Sequence, residues 1–249
     1  MIEFDIDIKI EKMLLKILKG KTKKFLKYLE ENNINNVDDE EEIEKALKNF
    51  KEKENRTIFG INKVLLAYTL ALIIDGISKK NKEKFKNRIT SELFKKSVDL
   101  ADKRIKELYL SSAKRTAYYV NEVIKKVKTG TEDFVLKDKW QEAKEKVEER
   151  MGYSDLLNSN NVLGETQAEY VKIILEELGI KGFIWVTKHD DRVRAKHSWR
   201  EGKLFDMNGN LLKGVGEDSA KILPKQEWGC RCRMAIDERA IEEALNNVA

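Results

Sequence analysis

The sequence contains few of the residues that most often carry catalysis, metal binding or chain reversal. Its 249 residues include two cysteines, two histidines and one proline. The two cysteines are separated by one residue, and a disulfide loop that short is strained. We therefore expect no disulfide framework and a chain that folds in a reducing compartment. A single proline leaves room for long, uninterrupted helices.

Long hydrophobic runs are also missing. The longest apolar stretch runs from Val64 to Ile74 and is well short of the roughly 20 residues that a membrane-spanning helix needs. It predicts a buried core helix, and no membrane partner is expected. Residues 1–10 are acidic and alternating rather than basic and then apolar, so we expect no signal peptide.

Charge, in contrast, is abundant. Charged residues make up 37% of the chain, and the formal net charge is +5. Residues 51–128 hold 20 lysines and arginines against 9 aspartates and glutamates. This basic region predicts a surface that lies beside nucleic acid or an acidic protein. The alternative is that its lysines only keep exposed helical faces in contact with water and bind no partner.

Changes in periodicity divide the chain into three segments. Residues 1–10 alternate apolar and charged side chains, which predicts an extended arm or strand that pairs with the distant C-terminal sheet or with another chain. Residues 11–135 have helical spacing and predict an α-helical domain. Residues 136–249 mix helices with short strands, and a polar loop is predicted at Ser154–Asn161. The expected fold class is α+β, with a mostly α-helical N-terminal region of long helices followed by a small mixed domain containing a short β-sheet.

The strands of the C-terminal domain follow from local patterns. Gly182–Thr187 is apolar and predicts a strand. Asn208-Gly209 is a strong hairpin signal, and Cys230–Ile236 predicts the last strand. Asp237 is expected to cap the final helix.

All four histidines and cysteines lie between His189 and Cys232. On a strand that begins at Cys230, both cysteines would point to one face, where His197 can stand beside them. Thiolates and imidazole are ligands that zinc prefers. His197, Cys230 and Cys232 therefore form a candidate zinc site, with His189 or a neighbouring aspartate as a further donor.

Other interpretations of this cluster stay open. His197 and the two cysteines can be structural, packing and hydrogen-bonding inside a small domain. A cysteine can also act as a nucleophile with His197 as its base, or Asp190 and Asp191 can support a metal-dependent hydrolase. None of these patterns forms a convincing catalytic constellation, so no enzymatic activity is expected. The alternative is a small metal-dependent nuclease or a Cys/His hydrolase built on His197, Cys230 and Cys232.

The same part of the chain carries an ordered composite motif. Its members are Glu165, Trp185, Thr187, Asp191, Arg192, Arg194, His197, Gly202, Gly229, Cys230, Arg231 and Cys232. In this order they resemble the phage Mu F-like minor head protein family (phage head morphogenesis), over about residues 160–236 of the predicted domain 136–249. Some relatives look as though they place cysteine where this chain has Arg194 and His197, and histidine and cysteine exchange as metal ligands. Because arginine cannot bind a metal, the site here needs another donor, such as His189, an aspartate or water.

The resemblance implies a structural protein of the virion. Such proteins are similar in role to minor capsid proteins that bind the portal or the inner head and act in head assembly, DNA packaging or early DNA ejection. The implied location is the inner head or portal vertex, after assembly in the host cytoplasm. The expected partners are the portal protein and other head proteins, packaged double-stranded DNA bound without sequence specificity through residues 51–128, and another copy through residues 1–10.

Overall fold

The chain has an α+β fold, here in a computed structural model that describes residues 1–31, 55–89, 136–214, 221–227 and 229–247, with scattered positions between 95 and 122. The helices with described bounds are α1 (Ile8–Glu31), α2 (Asn55–Gly76), α3 (Lys79–Arg88), α4 (Leu136–Glu177), α5 (Ala195–Ser198) and α6 (Glu238–Asn246). The strands are β1 (Ile2–Phe4), β2 (Gly182–Val186), β3 (Leu204–Asp206), β4 (Leu211–Lys213) and β5 (Arg233–Ile236). The sequence also predicts a helix capped by Asp38 or Asp39, which lies outside the described residues.

The five strands form one antiparallel sheet in the order β1-β5-β2-β3-β4. The predicted hairpin is confirmed, because β3 and β4 pair around a turn in which Gly209 has a φ of +80°. Phe183 and Phe205 stack with their ring centroids 6.1 Å apart, and both are fully buried beside Trp185. These aromatic rings fill the core beneath β2 and β3.

The N-terminal strand is shorter than predicted. Only residues 2–4 are extended, and Ile2 pairs with Ile236 of β5. The carboxylate of Asp7 accepts the backbone N–H of Lys9 (2.6 Å), which is the geometry of a helix N-cap. Helix α1 therefore starts at Ile8, inside the alternating segment. The N-terminal arm pairs with the C-terminal sheet, as one of the two alternatives predicted, and its pairing with another chain stays a prediction.

The predicted polar loop at Ser154–Asn161 is wrong, because α4 continues through it without a break. Polar side chains of this stretch bond to the helix backbone: the Ser159 hydroxyl donates to the carbonyl of Asp155, and the Asn158 amide donates to that of Ser154. The carboxylate of Asp155 is fully buried and accepts the hydroxyl of Ser112 at 2.8 Å. These interior partners hold a polar sequence in a helix.

The described chain divides into two compact units, which are discontinuous in sequence. One unit holds residues 1–10, 62–104 and 160–249, and the other holds residues 11–61 and 105–159. The sequence-based division into 1–10, 11–135 and 136–249 assumed continuous segments instead. The pairing of β1 with β5 explains part of the difference, because it joins the N-terminal arm to the C-terminal residues.

Contacts between α3 and α6 close the first unit. Glu242 accepts hydrogen bonds from the hydroxyl of Ser78 (3.0 Å) and the side-chain amide of Asn81. Asn81 and Phe85 are buried one turn apart, so α3 presents one inward face and leaves its lysines outside. No helix in the described part of the chain is long and apolar enough to cross a membrane.

Candidate metal centre

The two cysteines and His197 come together in the interior of the first unit. The Sγ atoms of Cys230 and Cys232 each lie 3.6 Å from Nδ1 of His197. The exposed fractions are 2% for His197, 4% for Cys230 and 2% for Cys232. Within the described residues, this is the only group of three or more His, Cys, Asp or Glu side chains positioned to hold a metal ion.

His197 lies in helix α5, which follows β2 after a loop of eight residues. The backbone N–H of His197 donates to the carbonyl of Arg194 at 2.8 Å, which closes this short helix. The ring then meets Trp185 of β2 edge to face, with centroids 5.6 Å apart. Contact with a fully buried indole fixes the plane of the imidazole.

The cysteines lie just before β5 and not on it. The predicted start of this strand at Cys230 is therefore wrong, because the strand begins at Arg233. The N–H of Cys230 donates to the carbonyl of Glu227 (2.9 Å), which forms a turn where the strand was expected. Gly229 takes a φ of +69° in this turn, and its N–H donates to Oδ1 of Asn161 on α4 at 3.0 Å. Both sulfurs still face the same imidazole nitrogen, because this turn brings Cys230 and Cys232 to one side.

Glu227 holds the other nitrogen of the imidazole. Its Oε2 lies 2.7 Å from Nε2 of His197. Hydrogen bonds from Lys196 and then from His197 lower the pKa of Glu227, although burial opposes them. A carboxylate at this distance accepts a proton carried on Nε2, and in the neutral ring this tautomer leaves the lone pair on Nδ1, facing the sulfurs.

The two thiols share their protons unequally. The hydrogen bond with Cys232 lowers the pKa of Cys230 to about 5, against the opposing effect of burial. The same hydrogen bond and burial together raise the pKa of Cys232 above its usual range. The backbone N–H of Lys225 also donates to Sγ of Cys230 at 3.4 Å. Of the two sulfurs, that of Cys230 therefore carries negative charge more readily.

Lys225 has an unusual backbone and a buried side chain. Its φ is +72°, in the left-handed region that residues with a β-carbon seldom adopt. Burial is the main cause that lowers the pKa of its ammonium group, and Asp5 opposes that shift. The aliphatic part of the side chain runs over α4 at Gly164, where there is no β-carbon to obstruct it.

Several other residues of the composite motif form the frame of this centre. The N–H of Gly202 donates to the carbonyl of Trp185 (2.9 Å), and Gly202 has a φ of +71°. Thr187 is buried, and its N–H donates to the carboxylate of Glu201. Arg194 lies 3.6 Å from Glu227 through an Nη1–Oε2 ion pair. Its guanidinium thus reaches the carboxylate behind the imidazole.

The remaining motif residues are not members of the donor group. Asp191 and Arg192 are exposed. Arg231 pairs with Asp190 (2.6 Å). Glu165 lies on α4, and burial raises the pKa of its carboxyl, opposed by Arg104.

His189 is not part of the metal group that His197 and the cysteines form. Its ring is exposed, and Nε2 lies 3.5 Å from Glu201. The expectation that His189 supplies a further ligand is therefore not met by this arrangement. Asp190, the neighbouring aspartate, is engaged by Arg231 and does not join the group either.

Sequence reasoning missed three contributors to the centre: Glu227, Lys225 and Arg200. Arg200 is 1% exposed, and its guanidinium lies 4.7 Å from the ring centroid of Trp185. It follows His197 by three residues, a spacing that places both on one side of a helical turn. No comparable signal marks Glu227 or Lys225, because the turn that directs them depends on α4.

The arrangement favours holding an ion over attacking a substrate. A nucleophilic cysteine needs an accessible thiolate, and both sulfurs here are almost fully buried. A narrow cavity reaches all three donor residues, and its wall includes the cationic side chains of Lys188, Arg192, Arg194 and Arg231.

Comparisons with protein-family models, with curated proteins and with solved structures found no match to this chain.

Proposed function

We propose that this chain is a minor head protein of a tailed phage or a phage-derived particle, associated with the portal or the inner head. Its role would lie in head assembly, DNA packaging or early DNA ejection. The observation that carries the proposal is the convergence of the composite motif. Trp185, His197, Gly202, Cys230 and Cys232 are spread over 48 positions of sequence and meet around one buried centre. A chance match of residue order would not require that convergence.

The chemistry of the centre supports an interaction protein over an enzyme. The thiols and the imidazole are at most 4% exposed, and their neighbours are Trp185 and Glu227. These features stabilise a small domain. The domain can then present its outer surface to the portal.

The basic region supports a location beside packaged DNA. Helix α3 exposes Lys79, Lys80 and Lys86 while it buries Asn81 and Phe85. Lysines on the outer face of a helix neutralise phosphates without reading bases. Contact with double-stranded DNA at this surface would be independent of sequence and sensitive to salt.

The N-terminal arm supports contact with another copy or with a head protein. Strand β1 lies at the end of the strand order, paired only with β5 among the described strands. An edge strand offers backbone donors and acceptors to an added strand. Residues 1–10 are therefore the segment that we assign to self-association.

Co-purification with a portal protein tests the proposal. The full chain is co-expressed with the portal protein encoded in the same gene neighbourhood, and the mixture is separated by size-exclusion chromatography. We expect the two proteins to elute together, and separate elution at moderate salt would contradict the portal assignment. A genome with no portal gene near this one would contradict it as well.

The competing nuclease or hydrolase is tested on the same preparation. Double-stranded DNA is incubated with the purified chain and divalent metals, with His197→Ala and His189→Ala as matched variants. We expect no cleavage by any of the three proteins. Cleavage that is lost in His197→Ala and kept in His189→Ala would establish the enzyme instead.

A further inference from the structure

We propose that His197, Cys230 and Cys232 bind one Zn²⁺ ion, through Nδ1 of the imidazole and both sulfurs, and that Glu227 positions the imidazole for this task. The zinc site does not depend on a role in the phage head. A zinc site of this kind would stabilise the small domain in any protein that contained it.

The spacing of the donor atoms fits a tetrahedral zinc ion. Zinc lies about 2.3 Å from a thiolate sulfur and about 2.0 Å from an imidazole nitrogen. At a tetrahedral angle, these bonds place sulfur and nitrogen about 3.5 Å apart. The distances from Nδ1 of His197 to Sγ of Cys230 and of Cys232 are both 3.6 Å. All three donor atoms also lie within 4.8 Å of one another.

One imidazole nitrogen faces both sulfurs at once. Nδ1 of a neutral imidazole has one lone pair, and two sulfurs lie at the same distance from it. That lone pair accepts from one thiol at a time, and the sulfurs of Cys230 and Cys232 also hydrogen-bond to each other. A cation bound between the three donor atoms uses the lone pair and both sulfurs at once, after the thiols have lost their protons to solvent.

Glu227 completes the arrangement behind the imidazole. Histidines that bind a metal almost always donate their second ring N–H to a carboxylate, a carbonyl or water, which fixes the tautomer. Here Nε2 of His197 lies 2.7 Å from Oε2 of Glu227. Lys196 and Arg194 hold the same carboxylate in place. Glu227 is therefore a positioning residue and not a ligand.

The backbone around Cys230 is also suited to a thiolate ligand. The N–H of Lys225 donates to its sulfur at 3.4 Å, and the left-handed conformation of Lys225 directs that N–H. The N–H of Gly229 is held by Asn161, which anchors the turn to α4. A sulfur that already accepts an amide hydrogen bond keeps its negative charge at lower cost.

The fourth coordination position opens to the narrow cavity. His197, Cys230 and Cys232 all line this cavity, and the described residues add no fourth donor to the group. The cationic side chains in the wall, including Arg194 and Arg231, repel a second metal ion and attract small anions. We assign the fourth position to water, which a small anion can replace.

Cobalt binding to the full-length chain tests the proposal. The protein is purified under reducing conditions, stripped with a chelator and titrated with Co²⁺. We expect one Co²⁺ per chain, visible bands of tetrahedral cobalt, and a near-ultraviolet band of thiolate-to-cobalt charge transfer. Saturation without the charge-transfer band would overturn the proposal, as would binding of far less than one ion per chain. Zn²⁺ should then displace Co²⁺ and remove the bands.

Thiol reactivity gives a second readout on the unaltered chain. The chain has only two cysteines, so a coloured thiol reagent counts both of them. We expect both thiols to be protected with Zn²⁺ bound and both to react after chelation. Equal reactivity with and without Zn²⁺ would contradict coordination, and this measurement uses the chain without any substitution.

Matched variants separate the ligands from their surroundings. His197→Ala removes a proposed ligand, and His189→Ala removes the exposed histidine outside the group. We expect the first to abolish charge-transfer binding and the second to leave it intact. Equal loss in both variants would overturn the assignment of His197.

Glu227→Gln isolates the positioning role. We expect Co²⁺ to bind with the same band positions and with an affinity reduced roughly 10- to 100-fold, the usual effect of losing a partner behind a ligand. Unchanged affinity would remove Glu227 from the site.

Azide should shift the visible bands by replacing water, and bands that azide does not move would exclude an open fourth position. Portal binding is not measured in these experiments, so their failure would leave the proposed function untouched.

Discussion

The side chain of Lys225 runs over α4 at Gly164, where a β-carbon would lie 2.7 Å from its Cγ and Cδ. Gly152, in the same helix, has no atom within 4 Å of the corresponding position. Both glycines reduce helix propensity, and only Gly164 has a packing reason for being glycine. The two positions form a natural pair for substitution.

We expect Gly152→Ala to raise the free energy of unfolding by about 0.5–1 kcal/mol, through helix propensity alone. Gly164→Ala should lower it by about 1 kcal/mol, because displacing the buried Lys225 costs more than the helix gains. Chemical denaturation followed by tryptophan fluorescence measures both. Equal stabilisation by the two alanines would contradict the close packing of Lys225 on α4.

A second prediction concerns the buried arginine beside the metal centre. The guanidinium of Arg200 lies 4.7 Å from the ring centroid of Trp185 and 5.7 Å from that of Phe205. Lysine cannot reproduce a planar group stacked on aromatic rings. We expect Arg200→Lys to lower the free energy of unfolding by about 2 kcal/mol.

The control for this change is Arg192→Lys, because the side chain of Arg192 is 75% exposed. A surface change of this kind should alter stability by less than about 0.5 kcal/mol. Urea unfolding midpoints of the two variants give the comparison. If Arg200→Lys unfolds at the same urea concentration as Arg192→Lys, stacking on Trp185 contributes nothing measurable.

Local sequence patterns were sufficient for the elements whose stabilising contacts are also local. Asn208-Gly209 predicts a hairpin because the turn needs a residue that adopts positive φ, and Gly209 does so. Asp237 predicts a helix start because its carboxylate accepts the N–H of Arg239 two residues later. Such signals depend only on neighbours in sequence, so they can be identified without knowledge of the fold.

The continuous helix α4 could not be predicted in this way. Its stretch from Ser154 to Asn161 has the composition of an exposed loop, yet Asp155 and Ser159 are fully buried. The partner of Asp155 is Ser112, 43 residues away. Composition records polarity but not the distant hydrogen bond that offsets the cost of burying a carboxylate.

The candidate centre was predicted only in part, because some of its contacts also join residues that are distant in sequence. Rarity of residue type identified His197, Cys230 and Cys232, and the structure groups these three. It also suggested His189, which is exposed and pairs with Glu201 instead. Glutamates are too common in this chain for rarity to identify Glu227, which depends on the turn before Cys230.

A third prediction tests the binding of DNA by α3. Replacing Lys79, Lys80 and Lys86 by Gln removes three exposed positive charges from the basic region. We expect weaker binding to double-stranded DNA of any sequence. The salt dependence of the binding constant should also become shallower, by about one unit of slope for each phosphate that a lysine no longer neutralises. Fluorescence anisotropy with labelled duplexes over a range of salt concentrations measures both quantities.

The matched control removes the same charge from another helix. Lys12, Lys16 and Lys19 are exposed on α1, outside the basic region. Their replacement by Gln should leave the slope close to that of the unaltered chain. If both triple variants reduce the slope equally, binding follows net charge and not the surface of α3.

A fourth prediction concerns the stability of the chain in acid. Hydrogen bonds from Arg239 lower the pKa of Asp237 from 3.8 to about 2. Because the carboxyl binds its proton more weakly in the folded chain, it stabilises the fold at pH values above about 4. That contribution is lost as the pH falls from about 4 towards 2. Melting temperatures across this range should therefore decline in part through Asp237.

Asp237→Ser separates the charge from the cap. Serine keeps an oxygen that can accept the N–H of Arg239, but it has no charge to lose in acid. We expect the melting temperatures of the variant and the unaltered chain to differ above about pH 4 and to converge as the pH approaches 2. Equal melting temperatures at every pH in this range would mean that the cap oxygen, and not the ion pair with Arg239, is what α6 needs from Asp237.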